Sequence, residues 1–468
     1  MNGFLTGFSL FVWVYFVALQ GVLLALAIVS SRALHREHRK ERFGRVEDML
    51  ASDLAPPVSI VVPAYNEEVG IVESIKSMAM VSYPRFEIVV ANDGSSDTTL
   101  QKLIEAFEMY PVPYPIRSNI ATRPVRQVYK SRLPIPLTVV DKENGGRADA
   151  LNAAINVAQY PYVLATDADV IIDGLALAHA MRAVAEDRER TVGVGGNIRP
   201  INGCEVRYGH VVEPRVPDRL IERYQLLEYV RAFVAGRPAW SAINALPLLS
   251  GAFGIWRRDV VTEVQGFTPG HFGEDLDLTM RIHRHLRRSR RDYRMVYSPA
   301  AVVWTEVPPT RQILKRQRIR WHWGLMTAVK DFRSSFLNPR HGRIGMITWP
   351  VMVLFEFLAP IVEFLGWLVV PTALLVGALS LPQVAGFFVM ALLAGTIVSM
   401  LALLLDERFG YFNDPRETLK LLTIVFVENL GIRQLTVWWR MRALFSGKAS
   451  RTWGNMERRG VTRLARSA

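Results

Sequence analysis

The feature that most constrains this chain is an unbroken apolar run over residues 8–29 that carries no charged side chain. A helical run of ~20 apolar residues matches the hydrocarbon thickness of a bilayer, and a helix satisfies its own backbone polar groups there. A cleaved signal peptide is the alternative, but it calls for positive charge ahead of a short apolar core. Nothing ahead of Phe8 is charged, whereas Arg32, Arg36, Arg39, Lys40, Arg42 and Arg45 follow the run. That asymmetry predicts a transmembrane helix over residues 1–31, its N-terminus outside and the next domain in the cytoplasm.

Three more apolar stretches lie near the other end, at 347–379, 384–405 and 419–439. The middle one reads as a clean span. The first contains Pro350, Pro360 and Pro371 and is too short to cross twice, so it reads as an interfacial piece followed by one kinked span. The third contains Glu428, Asn429, Arg433 and Gln434, a costly set to place in lipid and a candidate lining for a polar path. Three spans after a cytoplasmic domain would leave the C-terminus outside. The tail over 441–468 is basic, with Arg442, Lys448, Arg451, Arg458 and Arg459 after Arg440, which argues for inside. The expectation is therefore that the third stretch lies along the interface or dips into it.

Lys+Arg 56 against Asp+Glu 43 gives a net charge of +13, which suits an anionic partner. With membrane segments present, a phosphorylated substrate or an anionic bilayer surface fits better than nucleic acid, and no nucleic-acid partner is expected. The basic runs at 281–288 and 311–320 read as solvated helix faces near such a surface. Cys204 is the only cysteine and the histidines have no zinc spacing, so neither a disulfide framework nor a zinc site is expected.

Between residues 56 and 298 short β-branched runs alternate with helical patterns, the signature of parallel strands with crossover helices. Strands are expected at 58–62, 86–90, 137–140 and 162–165, and helices at 67–80, 97–109 and 147–158. The proline-rich and basic segment 110–136 reads as a long surface excursion. Ligands of such sheets sit at the carboxyl ends of the strands, so the polar residues after each strand are the candidates. Those are Pro63-Ala64-Tyr65-Asn66-Glu67, Asn92-Asp93-Gly94-Ser95 and Thr166-Asp167-Ala168-Asp169. Each alone also suits a turn or a helix cap, since Asp and Ser favour those positions. Together they place acidic groups along one sheet edge.

Four elements carry chemistry. Asp167 and Asp169 flank one residue at a strand end, and hard cations take carboxylate oxygens and share their shell with substrate phosphates. Gly145 and Gly146 precede a helix starting near Arg147, where close backbone approach, a helix N-terminus and a guanidinium all favour an anion. Asp275, after Gly273 and Glu274, opens a helix whose dipole favours its ionised form, so it can accept a proton. Gln317, Arg320 and Trp321 share a helical face, offering a stacking surface for a sugar ring and positive charge for a departing phosphate.

The order of these motifs is specific: PAYNE at 63–67, NDGS at 92–95, GGRADALN at 145–152, DAD at 167–169, GED at 273–275 and QRIRW at 317–321. In that order the chain resembles the processive family-2 glycosyltransferases, which include cellulose, chitin and hyaluronan synthases. In size and layout it is most similar to bacterial poly-β-1,6-N-acetylglucosamine synthases. The resemblance implies an α/β fold, a Rossmann-like GT-A domain over 56–330 inserted between the N-terminal helix and membrane or interfacial helices at 345–440. It implies a multi-pass protein of the inner (plasma) membrane with its catalytic domain in the cytoplasm. Carried onto this sequence, Ala64, Tyr65, Glu67 and Asp93 would hold the uridine, with Arg147 and Asp167 near the diphosphate. Asp169, helped by Asp167, would bind Mg²⁺ or Mn²⁺, and Asp275 would be the base, with Glu274 beside it in the catalytic pair. Ser250 and Gly251 would line the acceptor pocket, and Gln317, Arg320 and Trp321 its far end and the leaving diphosphate.

The implied partners are a UDP-sugar donor, with UDP-N-acetylglucosamine favoured by likeness alone, a growing β-linked polysaccharide, the lipid bilayer and an accessory export subunit. Two departures stand out: Gly273 where many synthases have threonine, and Arg147 where the family usually has lysine. Two other functions stay open at this point. One is transfer of a single sugar to a lipid phosphate, against which the Gln317–Arg320–Trp321 set speaks. The other is a non-catalytic nucleotide sensor, against which the retention of Asp167, Asp169 and Asp275 speaks.

Overall fold

Apolar β-branched runs become strands here and the 3.6-periodic segments between them become helices, as their patterns require. A computed structural model describes residues 2–43, 46, 50, 55–113, 119–412 and 414–446. A long helix α1 (Asn2–Phe43) opens the chain. There follow β1 (Val58–Ala64), α2 (Ile71–Ala79), β2 (Phe86–Asp93), α3 (Thr99–Ala106), β3 (Met109–Val112), β4 (Val125–Ser131), β5 (Leu137–Lys142), α4 (Arg147–Val157) and β6 (Tyr162–Ala165). The second half of the domain contains β7 (Ile171–Ile172), α5 (Ala176–Glu186), β8 (Thr191–Pro200), a hairpin of β9 (Glu205–Arg207) and β10 (His210–Glu213), and α6 (Leu220–Val230). A π-helical turn at Arg231–Gly236 leads to α7 (Arg237–Ala242), β11 (Gly254–Arg257), α8 (Arg258–Glu263), α9 (Glu274–Arg288), β12 (Arg294–Thr305) and α10 (Arg311–Asp331).

Among the described residues, ten strands form one sheet in the order β3-β4-β5-β2-β1-β6-β11-β8-β12-β7. Strands β5, β2, β1 and β6 run parallel, with Val58 beside Phe86 and Tyr162 and Ile88 beside Leu137. Their side chains are almost wholly buried, as a sheet covered on both faces demands. Strand β11 enters antiparallel to β6, pairing Gly254 with Ala165, so its start lies at the carboxyl ends of the parallel strands.

The segment 110–136 departs from expectation. It supplies β3 and β4, which extend the sheet antiparallel to β5, with Val128 opposite Val140 and Pro111 opposite Tyr129. The pattern hides this because the pair is peripheral: β4 buries little beyond Val128, and a terminal strand such as β3 tolerates proline.

Beyond the domain, a helical stretch Ile344–Leu375 holds α11 (Trp349–Met352) between π-helical turns at Ile344–Thr348 and Val353–Phe357, then α12 (Ala359–Leu375). Pro350 and Pro360 lack the N–H that would continue an α-ladder, and the helix widens rather than breaks around them. Next come α13 (Leu381–Asp406), α14 (Pro415–Val427) and α15 (Ile432–Phe445). Among the described residues, three helical stretches are long and apolar enough to cross a membrane: Asn2–Lys40, Ile344–Leu375 and Leu381–Phe409. The pair α14–α15 is bent by 58° and amounts to a fourth span if taken as one. Apolar side chains such as Phe4, Leu10, Leu368 and Phe388 project outward from these helices, as lipid contact requires. Val12 and Phe16 of α1 pack on Val362 of α12 and Phe387 of α13.

The polar residues of the third apolar stretch sit at this bend. Glu428 is buried and accepts from Arg231 and Ser399, Arg433 pairs with Glu363 at 3.4 Å, and the Gln434 side chain accepts from Gly431 N at 2.7 Å. Gly431 has φ +109°, which releases the chain from α14 before α15 begins. Arg45, Lys448, Arg451, Arg458 and Arg459, and most of 441–468, lie outside the described residues, as does the Arg42 side chain.

Candidate active site

The carboxyl edge of the parallel strands gathers the motifs. Register places Ala64 beside Asn92, Asp93 beside Lys142, and the end of β6 beside the middle of β1. Ala64 is buried, whereas Tyr65 is half exposed at the mouth of the edge. Two loops are stitched together there: Asn66 N donates to Ser95 Oγ (3.1 Å), Ser96 N to Asn66 Oδ1 (2.9 Å), and Glu67 N to Thr99 Oγ1 (2.8 Å). Thus PAYNE and NDGS form one rigid lip.

Asp93 faces inward. Its carboxylate accepts from Lys142 Nζ (2.7 Å), Gly145 N (2.9 Å) and Gly146 N (2.7 Å). Lys142 is completely buried and pairs also with Asp149 at 2.6 Å. Gly146 has φ +88°, and a side chain at Gly145 would collide with Asp149 at 2.5 Å, so both glycines are required by this turn. Asp93 and Lys142 therefore set the backbone that leads into Arg147 at the start of α4.

Arg147 reaches three groups at once. Its Nε donates to Asp167 Oδ1 (2.7 Å), one terminal nitrogen to Glu274 Oε1 (2.5 Å) and the other to the Gly251 carbonyl (2.8 Å). A methyl group on Gly251 would stand 3.0 Å from the guanidinium, so glycine is what lets the arginine lie across this loop. Thr166 fastens the same loop from below, its hydroxyl donating to the Ala252 carbonyl at 2.8 Å. Asp167 and Asp169 are both partly exposed at the end of β6.

Asp275 lies in the first turn of α9. Its Oδ2 accepts from Gly251 N (3.1 Å) and its Oδ1 from Leu276 N (2.8 Å). Burial pushes its carboxyl up from the ordinary aspartate value and Glu274 adds to this, while the two amides and Arg147 pull the other way. Arg320 lies within electrostatic reach of Glu274, Asp167, Arg147 and Asp275; burial lowers its guanidinium while the carboxylates raise it. Gln317 Oε1 is a buried acceptor without a hydrogen-bond donor, and Trp321 is 42% exposed beneath the Arg318 guanidinium at 4.5 Å.

Helix α10 reaches this place through a glycine contact. A methyl group on Gly324 would meet Gly273 N and Phe272 O at 3.1 Å. Backbone thus packs on backbone where the acidic pair begins, which also gives Gly273 a neighbour suited to a residue without a side chain. The structure therefore brings Asp167, Arg147, Glu274, Asp275, Gly251 and Arg320 together. Ser250 precedes Gly251 in the loop, Gln317 and Trp321 share α10 with Arg320, and Ala64, Tyr65 and Glu67 lie on the neighbouring lip.

The family model described as "Glycosyltransferase like family 2" matches residues 56–324, more than half of the chain and the whole of this edge. The chain belongs to the glycosyltransferases of family 2. The sheet just described is accordingly that of a GT-A domain, flanked by the apolar helices.

Two of its relatives are named poly-β-1,6-N-acetyl-D-glucosamine synthase: a Staphylococcus epidermidis protein, 25% identical over 64% of this chain and 63% of its own length, and a Staphylococcus aureus protein, 26% identical over 60% and 58%. The chain thus spans about 58–63% of the length of these curated relatives. Among solved structures it is similar to a mannosyltransferase from Pyrobaculum calidifontis in complex with GDP-Man and Mn²⁺, at 21% identity, TM-score 0.44, covering 89% of this chain and 99% of that one. It is also similar to Staphylococcus aureus TarS residues 1–349, at 19% identity and TM-score 0.36, covering 81% and 91%.

Family-2 enzymes of this fold imply a divalent cation, and the residues present fit one. Asp167 and Asp169 offer hard oxygens at a partly exposed strand end, and a Mg²⁺-type ion takes one or two carboxylates and completes its shell with phosphates and water. Among the described residues no group of three or more histidine, cysteine or carboxylate side chains is placed to hold a metal.

Three residues gain a role only from the structure: Lys142 and Asp149, which anchor the glycine turn, and Gly324, which seats α10. A lysine closing a mainly β-branched strand is the available signal for the first; a glycine three residues after Trp321 is the signal for the last.

Proposed function

We propose that this chain is an inverting membrane glycosyltransferase that transfers sugar from a UDP-sugar, with UDP-N-acetylglucosamine first among the candidates, to a growing β-linked exopolysaccharide. The reaction would take place at the cytoplasmic face of the plasma membrane. The observation that carries this reading is the Asp275 carboxylate, held by the Gly251 and Leu276 amides within a ring formed by Arg147, Asp167, Glu274 and Arg320. A base, a loop for the acceptor and cations for a leaving diphosphate converge there, at the sheet edge where nucleotides bind in such folds. Polymer formation is supported by the seating of Gly324 of α10 against Gly273, by the nearness of Arg320 to Glu274 and Asp275, and by the names of the relatives. An accessory export subunit belongs to the same reading.

An acceptor hydroxyl is a poor nucleophile. Asp275 takes its proton while the oxygen bonds to the anomeric carbon on the face opposite the diphosphate. The bond from that carbon to the diphosphate oxygen breaks, and UDP leaves with the electron pair. One such displacement inverts the anomeric centre. Arg320 and Arg147 offset the charge that gathers on the leaving group. Trp321 offers an exposed indole face against which an acceptor sugar stacks. When bound, Mg²⁺ or Mn²⁺ at Asp169 and Asp167 would add Lewis-acid charge beside the diphosphate.

The test is incubation of detergent-solubilised protein with individual radiolabelled UDP-sugars and Mg²⁺ or Mn²⁺, followed by sizing of the product. Polymer is expected; a product one sugar longer than a lipid acceptor would replace this reading with single transfer. Asp275→Asn should lower turnover by about 10²–10⁴-fold while UDP still binds. Full activity in that variant would refute the assigned base.

A further inference from the structure

We propose that Arg147 is a positioning residue that straps the metal carboxylate Asp167 to the base loop in the donor-free enzyme and is displaced when a divalent cation binds with the donor diphosphate. The inference rests on the nucleotide-sugar reading and goes beyond it in assigning Arg147 a role before the donor arrives. All three nitrogens of the guanidinium donate to protein: to Asp167 at 2.7 Å, Glu274 at 2.5 Å and the Gly251 carbonyl at 2.8 Å. The same Gly251 gives its N–H to Asp275 at 3.1 Å, so the strap and the base share one peptide loop.

A cation binding at Asp167 and Asp169 draws on the Asp167 carboxylate, whose Oδ1 Arg147 now holds. Guanidinium and divalent cation also repel each other across one carboxylate, so the two compete for it. The diphosphate that accompanies the cation brings negative charge to the N-terminal end of α4, which begins at Arg147 behind the glycine pair. Arg147 can therefore leave Asp167 without losing a counter-charge. Metal alone meets the full competition, and metal with nucleotide is relieved of it. The strap makes cation binding depend on the nucleotide and pairs Asp167 and Glu274 with a positive charge before the donor arrives.

The experiment measures Mn²⁺ binding by electron paramagnetic resonance on the full-length protein in detergent, with and without UDP. Wild-type protein should bind Mn²⁺ weakly alone and more tightly with UDP. Arg147→Gln should bind Mn²⁺ alone about tenfold more tightly than wild type, and the enhancement by UDP should shrink. Gly251→Ala provides a second route, because its methyl group 3.0 Å from a terminal nitrogen makes the guanidinium give by a few tenths of an ångström and loosens its grip on the loop while the charge stays. It should shift Mn²⁺ affinity in the same direction, and it decides the matter if Arg147→Gln does not fold. Mn²⁺ binding without UDP that is unchanged or weaker in the folded variants would overturn the strap. If wild type binds no Mn²⁺ even with UDP, or Asp167→Asn/Asp169→Asn leaves binding intact, the metal–nucleotide reading itself fails, which is a separate result.

Discussion

At the scale of single residues, the charge of Asp275 is the quantity on which the proposed chemistry turns. Burial raises its carboxyl, Glu274 raises it further, and the Leu276 and Gly251 amides and Arg147 oppose them. Arg237 and Arg320 complete the charged surroundings. A base acts only when ionised, so activity is present above the raised value and is lost as pH falls through it. The acid limb of the profile is therefore expected above that of an ordinary aspartate, which titrates near ~3.9. Glu274→Gln removes the second of the two raising influences and leaves an amide that can still accept from Arg147. Its acid limb should move to lower pH in a kcat/KM profile. A limb that stays in place would mean that Glu274 does not act on Asp275 through charge. The position of Asp275 was legible in advance, because an acidic pair ahead of a leucine-spaced helix marks a helix start. The partners of Arg147 were not, since they come from three segments separated by 20 to 127 residues in sequence.

At the scale of elements, the glycine turn between β5 and α4 is held by the ion triad Asp93–Lys142–Asp149, whose side chains are 4%, 0% and 8% exposed. Lys142→Met would leave two buried carboxylates facing each other without a counter-charge. Breaking such a group typically costs about 3–5 kcal/mol, and the thermal midpoint in detergent should fall accordingly. Adding Asp93→Asn and Asp149→Asn to Lys142→Met should recover part of the loss; a midpoint unchanged by the lysine substitution would show that the triad is not a stabilising unit. The second element-scale contact is the crossing of α10 over the base motif. Gly324→Ala inserts a methyl group 3.1 Å from Phe272 O and Gly273 N, so the helix must give by a few tenths of an ångström. Under the proposed function turnover should drop while UDP binding, assigned there to the lip of Ala64, Tyr65 and Glu67, is retained; isothermal titration and turnover measured side by side separate the two. Apolar runs announced β1, β2, β5 and β6 and helical spacing announced α4 and α9, because the burial of each matches its pattern. Such patterns could not announce β3 and β4, because a peripheral pair rich in Pro, Arg and Gln has no buried face to repeat. Nor could they announce the break between α14 and α15, where Gly431 at φ +109° and the Arg231–Glu428 pair decide the local direction.

At the scale of the whole molecule, the sheet and the membrane helices are joined by charge as well as by apolar packing. Arg199, the penultimate residue of β8, donates through two nitrogens to the two oxygens of Asp406, the last residue of α13, at 2.7 Å each. The side chains are 2% and 4% exposed, and the Tyr411 ring lies 3.9 Å from the guanidinium. A bidentate arginine–carboxylate pair fixes angle as well as distance, so it orients the end of a membrane helix on the catalytic sheet. Such a pair stabilises little relative to apolar residues of the same size, yet removing one partner leaves the other charged and buried. Arg199→Met and Asp406→Leu should therefore each destabilise the protein by about 3–5 kcal/mol, and the double variant should be closer to wild type than either. Thermal unfolding of the four proteins in one detergent closes the cycle and isolates the coupling. Additive losses in the double variant would show that the two charges act separately, and that apolar contacts alone hold the sheet to α13.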